Sequence, residues 1–265
     1  MNGSNLGEAN AIIVGKKILG NRFVELTIHE ESIAHSARPG QFVMVGTGDG
    51  YDPLLKRPLG VFRVFGDHFS LLFEIVGRGT DRLGKAKIGD CLSVLGPLGK
   101  GFTLGAREAW LLAGGRGLVP LFFLAVTLQE QNTPFSIFFG VQAREELVLA
   151  DYLRSFPGSF SVTCEEATQS HACGTVLDLF QAERNGKPVP PGVWVYACGP
   201  EGLYQAMQNS GLFQTLPVEV SLEARMGCGF GVCLSCAIPK SDGENFHHVC
   251  SDGPVFELSE VFRWT

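Results

Sequence analysis

The chain has 265 residues, of which 45% are hydrophobic and 18% charged, and its formal net charge is −6. This is an ordinary globular composition with core material for roughly one to three domains. The acidic balance, with no run of Lys or Arg, excludes a nucleic-acid-binding surface. Residues 1–11 are polar, with neither a basic start nor a long apolar core, and so do not read as a signal peptide. The longest apolar run, residues 118–128, is too short to span a bilayer and contains Thr127. A cytoplasmic protein without a membrane partner is therefore expected. In that reducing compartment the eight cysteines read as thiols or metal ligands rather than disulfides.

From residue 11 to about 104 the pattern is of short strands rich in Val, Ile and Phe, punctuated by Gly, Pro and Asp: residues 11–18, 22–29, 41–45, 60–65, 69–76 and 91–95. Short strands at regular spacing suggest a small antiparallel barrel, which Gly96-Pro97-Leu98-Gly99 closes as a loop. From about 107 to 217 the pattern becomes strand, glycine loop and helix, repeated. Strands are expected at 109–113, 135–141, 160–165 and 193–197, and helices at 118–131, 176–181 and 201–211. Such alternation means βαβ units and a parallel sheet. A module of about fifty residues, 218–265, follows; it looks too small to bury a large core alone. The expected fold class is thus mixed β and α/β, in three domains: 1–104, 105–217 and 218–265. No internal repeat is visible.

Five motifs carry chemistry. Lys56-Arg57-Pro58-Leu59-Gly60 puts an arginine on an extended segment, where it can neutralise a phosphate; Gly77-Arg78-Gly79-Thr80 precedes a short helix whose first amides suit phosphate oxygens. Ala113-Gly114-Gly115-Arg116-Gly117-Leu118-Val119-Pro120 leads from a strand into a helix N-terminus, which is a pyrophosphate-type site although the glycines do not fall as G-x-G-x-x-G. Cys198-Gly199-Pro200 ends another strand in the same way, beyond the carboxyl edge of the sheet where ligands bind in such folds. A glycine-rich strand–helix turn can also serve packing alone.

The fifth and most specific motif runs from Met226 to Cys250. Cys228, Cys233, Cys236 and Cys250 stand as C-x4-C-x2-C with thirteen residues between the third cysteine and the fourth. That is the plant-type [2Fe–2S] spacing, because two irons need four thiolates and a tight loop can supply three. Gly227, Gly229 and Gly231 let the backbone curl and aim amides at the sulfurs. A structural zinc site usually shows two short pairs, and here there is one; His247 and His248 close to Cys250 keep zinc as an alternative, although they read first as solvated turn residues. Cys91, Cys164, Cys173 and Cys198 read as buried apolar thiols, with Cys198 set apart by its motif.

Together the R-P-x-x, G-x-G-T, G-G-x-G-x-x-P and C-G-P motifs resemble the ferredoxin–NADP reductase superfamily. Ser221-Leu222-Glu223 through Cys236, followed by Val249-Cys250-x-Asp252-Gly253-Pro254-Val255-Phe256, resembles the electron-transfer subunits of NAD-dependent class 1B dihydroorotate dehydrogenases, and the likeness extends over residues 11–256. The resemblance implies a FAD-binding β-barrel, a Rossmann-like nucleotide domain and a C-terminal [2Fe–2S] module. It implies FAD held by Arg57, Pro58, Leu59, Gly60, Leu72, Phe73, Glu74, Gly79 and Thr80. NAD(H) would lie on Gly114, Gly115, Gly117 and Pro120, with Cys198, Gly199 and Pro200 near the nicotinamide. The four cysteines of the Met226–Cys250 stretch would hold the cluster. It implies a partner, an FMN-containing dihydroorotate dehydrogenase catalytic subunit, in a heterotetramer of two of each. Electrons would pass from dihydroorotate oxidation to NAD+ in pyrimidine biosynthesis, and no catalytic base for dihydroorotate is expected in this chain. The alternative is a related NAD(P)H reductase subunit of a sulfide-, sulfite- or ferredoxin-linked complex.

Two departures stand out. Gly60 replaces the serine usual after R-P-x, and Arg116 stands in the glycine loop where a small residue is usual. Glu145 and Glu146 after the second sheet strand oppose a 2′-phosphate while Arg144 favours one, which tips the expectation to NAD. The apolar rim Phe230, Val232 and Leu234 is either a docking surface or a shield for the cluster.

Overall fold

The computed structural model describes residues 8–48 and 52–261; the polar start of the chain falls largely outside these. The first part is a closed antiparallel barrel. Its elements are β1 (Glu8–Leu19), β2 (Phe23–His29), α1 (Glu31–Ser36), β3 (Phe42–Val45), β4 (Arg57–Phe65), β5 (His68–Glu74), α2 (Arg78–Lys85) and β6 (Cys91–Leu98). The strands close in the order β1-β2-β5-β4-β3-β6. Alternation of side chains along the strands sends Ile13, Leu26, Ile28, Val43, Val45, Phe69 and Leu71 into the lumen, all fully buried. α1 has no counterpart among the sequence expectations. β6 also runs on through Gly96-Pro97-Leu98, where a loop is expected. The ladder to β3 shifts register there, between Leu95 and Leu98, so Pro97 withholds no amide that the sheet needs.

The second part is a seven-stranded sheet made of β7 (Glu108–Gly114), β8 (Phe135–Val141), β9 (Phe160–Cys164), β10 (Ala172–Cys173), β11 (Val193–Cys198) and β12 (Val218–Ser221), with β15 (Val255–Glu257) at one edge. The order is β10-β9-β8-β7-β11-β12-β15; β15 alone runs antiparallel. Helices α3 (Leu118–Glu130), α4 (Val176–Arg184) and α5 (Glu201–Asn209) flank it. α3 is apolar on nearly every side because it is enclosed between sheet and barrel: Phe122 stacks on Phe62 of β4 at 4.4 Å, and Phe123 belongs to the barrel core. A buried polar bridge joins the same two parts. The Tyr152 hydroxyl donates to Glu25 at 2.6 Å, and Arg63 donates to the other carboxylate oxygen at 2.7 Å. Residues 144–155, before β9, form 3₁₀ turns.

Between β12 and β15 the chain leaves the sheet to form the cysteine loop and the hairpin β13 (Ala237–Pro239) and β14 (Phe246–His248). The loop is thus held at both ends by strands of the α/β sheet. His247 and His248 are not solvated turn residues: both stand half-buried on β14, His247 with its ring 4.7 Å from that of Phe256. Among the other cysteines, Cys164 and Cys198 are buried as expected, but Cys91 and Cys173 are exposed. Cys91 opens β6 on the outer surface of the barrel, and Cys173 lies on the short edge strand β10, where only one neighbour covers the backbone.

Candidate redox site

The first cavity, of about 310 Å³, opens between barrel and sheet. β4 supplies Arg57, Pro58, Leu59 and Gly60 to its wall, and β5 supplies Leu72, Phe73 and Glu74. Strand pairing explains the grouping, since β4 and β5 are antiparallel neighbours, so the start of β4 lies beside the end of β5. Thr80 lines the cavity from the first turn of α2. Its hydroxyl accepts from the amides of Val76 and Gly77 at 3.0 and 3.2 Å, which fixes the turn entering the helix. Gly79 does not reach the cavity wall; its Cα lies directly under the Arg57 guanidinium, so any side chain there would displace Arg57. Pro120 of α3 also lines this cavity, rather than the second one with the glycine loop.

The second cavity, of about 690 Å³, lies at the carboxyl edge of the sheet and is lined by Gly114, Gly115, Gly117, Cys198, Gly199 and Pro200. The loops after β7 and β11 touch there. A methyl group on Gly117 would fall on the Cys198 carbonyl, and one on Gly114 would lie 2.8 Å from Pro200 Cδ. The glycines therefore let the N-terminus of α3 come down onto the end of β11. Gln142, Glu146 and Glu165 form the far wall. Glu146 accepts from the amides of Gln142 and Ala143 at 3.0 and 3.3 Å. Arg144 turns away to Glu166, at 3.9 Å, and to the Ala167 carbonyl.

Cys198 lines both cavities. Burial pushes its thiol up to about 12, the Glu223 carboxylate acts in the same direction, and hydrogen bonding with Ser221 and Tyr204 only partly offsets them. It is a neutral thiol at physiological pH. Tyr204 braces the loop: its hydroxyl accepts from the Gly199 amide at 3.0 Å and donates to the Ser221 carbonyl at 2.7 Å.

The four cysteines of the Met226–Cys250 loop converge, and each sulfur accepts a backbone amide. Cys228 Sγ takes those of Phe230, Val232 and Cys233 at 3.5, 3.4 and 3.4 Å. Cys233 Sγ takes that of Cys228 at 3.3 Å, Cys236 Sγ that of Cys250 at 3.5 Å, and Cys250 Sγ that of Gly231 at 3.1 Å. Gly229 and Gly231, with φ of +85° and +86°, make the turns that point these amides inward. The Ser235 hydroxyl and nearby amides bring the Cys233 thiol down to about 6. At Cys228 burial raises the thiol, but the amides of Cys233, Phe230 and Val232 outweigh it and the net shift is downward. Burial and the neighbouring Cys236, whose sulfur is 3.2 Å away, push Cys250 up to about 12. Four sulfurs collected in this way, with amides on all of them, fit a thiolate-bound cluster whose positive irons offset the buried charge. The loop packs on the barrel, with Gly229 against Met44 of β3 and Leu98 of β6. Phe230, Val232 and Leu234 are exposed on its rim.

Sequence reasoning missed Glu223 and Val76 as cavity residues, and Ser235 and Tyr204 as supports. Glu223 had a signal, since it lies within the Ser221–Cys236 motif.

A closed antiparallel barrel against a parallel α/β sheet, with cavities at their junction, is the architecture of ferredoxin–NADP reductases. The ferredoxin–NADP+ reductase of Neisseria gonorrhoeae with bound FAD and NADP matches the fold at a TM-score of 0.64 and 17% identity, over 77% of this chain and 92% of that one. A structure of an NADH-dependent reduced ferredoxin–NADP oxidoreductase matches at a TM-score of 0.83 and 26% identity, over 98% of this chain and 91% of that one. Residues 223–262 match the family model for the iron–sulfur cluster binding domain of dihydroorotate dehydrogenase B. The Bacillus caldolyticus dihydroorotate dehydrogenase B (NAD(+)) electron transfer subunit is 34% identical over 97% of this chain and 99% of its own length. That of Desulforamulus reducens is 34% identical over 86% of this chain and 88% of its own. The chain belongs to this family of electron-transfer subunits, and is therefore one component of an oxidoreductase. No helix among the described residues is long and apolar enough to cross a membrane.

Proposed function

We propose that the chain carries electrons between an FMN-containing, dihydroorotate-oxidising catalytic subunit and NAD+, in pyrimidine biosynthesis and in the cytoplasm. In this reading the barrel, residues 1–104, holds FAD. Arg57 meets its phosphates, Pro58, Leu59, Gly60, Leu72, Phe73 and Glu74 wall it in, and Gly79 and Thr80 seat Arg57 and the α2 turn. Residues 105–217 hold NAD(H) on Gly114, Gly115, Gly117, Cys198, Gly199 and Pro200, with Pro120 closing the flavin side. Residues 218–265 hold a [2Fe–2S] cluster on Cys228, Cys233, Cys236 and Cys250. When bound, FAD supplies exchange between two-electron hydride chemistry and the one-electron steps of a cluster. The protein contributes position, dryness and charge. Cys198 presents a neutral thiol between the two cavities, and the amides at the sulfurs favour added negative charge on the cluster. The acidic wall of Glu146 and Glu165, with Arg144 drawn off to Glu166, opposes a 2′-phosphate and supports NAD over NADP. A reducing compartment suits four converging thiols kept as ligands. Phe230, Val232 and Leu234 form the surface on which the catalytic subunit docks, two of each chain completing the complex.

The observation that carries this reading is continuity. Cys198 lines both cavities, and Met226, two residues before the first ligand, lines the flavin cavity. In this reading the three sites adjoin one another in a row. The test is reconstitution with an FMN-bearing dihydroorotate dehydrogenase catalytic subunit. The expected result is dihydroorotate-dependent NAD+ reduction by the pair and by neither chain alone, from a chain that shows flavin and iron–sulfur absorbance. The likeness to the ferredoxin-linked oxidoreductase favours a second reading, a reductase subunit of such a complex. Reduction of NAD(P)+ by reduced ferredoxin, with none by dihydroorotate, would establish it instead.

A further inference from the structure

The two cavities are separate, and the wall between them is made of side chains. Glu74, Val76, Arg116, Cys198 and Glu223 line both. Three of these five are charged and are paired with one another. Arg116 Nη1 lies 3.1 Å from Glu74 Oε2, and Arg116 Nη2 lies 4.0 Å from Glu223 Oε2. The partners come from three parts of the chain: Glu74 ends β5 of the barrel, Arg116 stands in the glycine loop, and Glu223 begins the run to the cysteine loop. A nicotinamide held in the second cavity would meet a flavin held in the first across this wall.

The members of the wall differ in how firmly they are fixed. The Glu74 side chain is only 5% exposed and is also paired with Arg22. Arg116 and Glu223 are 47% and 72% exposed. We propose that Arg116 is a movable partition between the flavin and dinucleotide chambers, anchored by Glu74, and that Glu223 is the catch that holds it closed. This rests on the assignment of the two chambers given above. An exposed pair at 4.0 Å is screened by water and salt, so the catch is weak and opens readily. The Glu74 contact, shorter and buried at one end, keeps Arg116 near the opening and leaves the carboxylate paired. The arrangement explains why an arginine is tolerated in a loop otherwise made of glycines: its side chain leaves the amides of the loop free and blocks the passage instead.

The test uses the FAD- and cluster-loaded protein in its oxidised state, with NAD+ as the probe and flavin fluorescence followed by stopped flow. In this state NAD+ binds without reacting, so the readout is association and not turnover. Arg116→Ala and Glu223→Gln are expected to accelerate NAD+ association, each by up to ~5-fold, the range one exposed ion pair spans. Equilibrium affinity should be unchanged or tighter, and flavin content equal to that of the unaltered protein. Weaker NAD+ binding by Arg116→Ala would make Arg116 a ligand of the dinucleotide and overturn the proposal. Unaltered association in Glu223→Gln would overturn it also, and this exposed substitution leaves the fold alone. If the unaltered protein binds no NAD+ at all, the chamber assignment itself falls, a result distinct from either.

Discussion

The dinucleotide loop and the cysteine loop are both rich in glycine, but they use it in opposite ways. At Gly117 the glycine makes room. The start of α3 lies so close to the end of β11 that a single methyl group would occupy the position of the Cys198 carbonyl. At Gly231 it makes a turn: the residue sits at φ +86° with only the Ser251 side chain nearby, at 3.3 Å from an added methyl, and its amide points at Cys250 Sγ. The first use is steric and involves two backbones that cannot both stay in place. The second is conformational and costs an L-residue a bounded amount. A glycine in a functional motif therefore carries no single meaning, and the two meanings predict different magnitudes of damage.

Gly117→Ala should be the most harmful of these changes. Neither partner of the clash is a flexible side-chain end, so α3 or β11 must shift, at a cost of about 3 kcal/mol or more. Urea unfolding should show that loss together with weakened NAD+ binding; a stability within experimental error of the unaltered protein would show that the loops separate easily. Gly231→Ala should be milder. The left-handed conformation costs an alanine about 1–2 kcal/mol, in a loop that the sheet holds at both ends. The chain should fold with its flavin, but iron should be lost to a chelator several-fold faster as the Gly231 amide leaves Cys250 Sγ. Equal rates of iron loss would mean that the turn tolerates an alanine or that the amide does not help to hold the iron.

The sequence shows this site unevenly, for physical reasons. The cysteine spacing was legible: four cysteines at plant-type intervals stand on one loop and its return, with the Cys236 and Cys250 sulfurs 3.2 Å apart. Strand periodicity was legible in the barrel, and the glycine motifs line the second cavity at the carboxyl edge of the sheet. What the chain hides is pairing between distant segments. Arg116 meets Glu74 across 42 residues, and nothing local announces that it turns inward to a wall instead of out to solvent or to a phosphate. The same holds for the Glu25–Tyr152 bridge, 127 residues apart. Exposure at edges was also hidden. Cys173 reads as a buried thiol until the edge position of β10 is known, and His247 reads as solvated until β14 lays it against Phe256.

Gly60 completes the comparison because neither use of glycine applies there. It lies within β4 in extended backbone, and a methyl group at this position would meet only Val119 Cγ1, at an ordinary 3.4 Å. Gly60→Ser is therefore expected to shift stability by no more than about 0.5 kcal/mol. β-strands also favour a residue with a Cβ over glycine, which acts in the stabilising direction. Because Gly60 lines the first cavity, the new hydroxyl stands where a flavin is proposed to lie. One hydrogen bond there, worth about 1 kcal/mol, would slow flavin loss on dialysis by ~5-fold. Faster flavin loss in Gly60→Ser would mean that the chamber is filled to contact at this wall, making Gly60 a third instance of glycine as room, with the cofactor and not a second backbone as the neighbour.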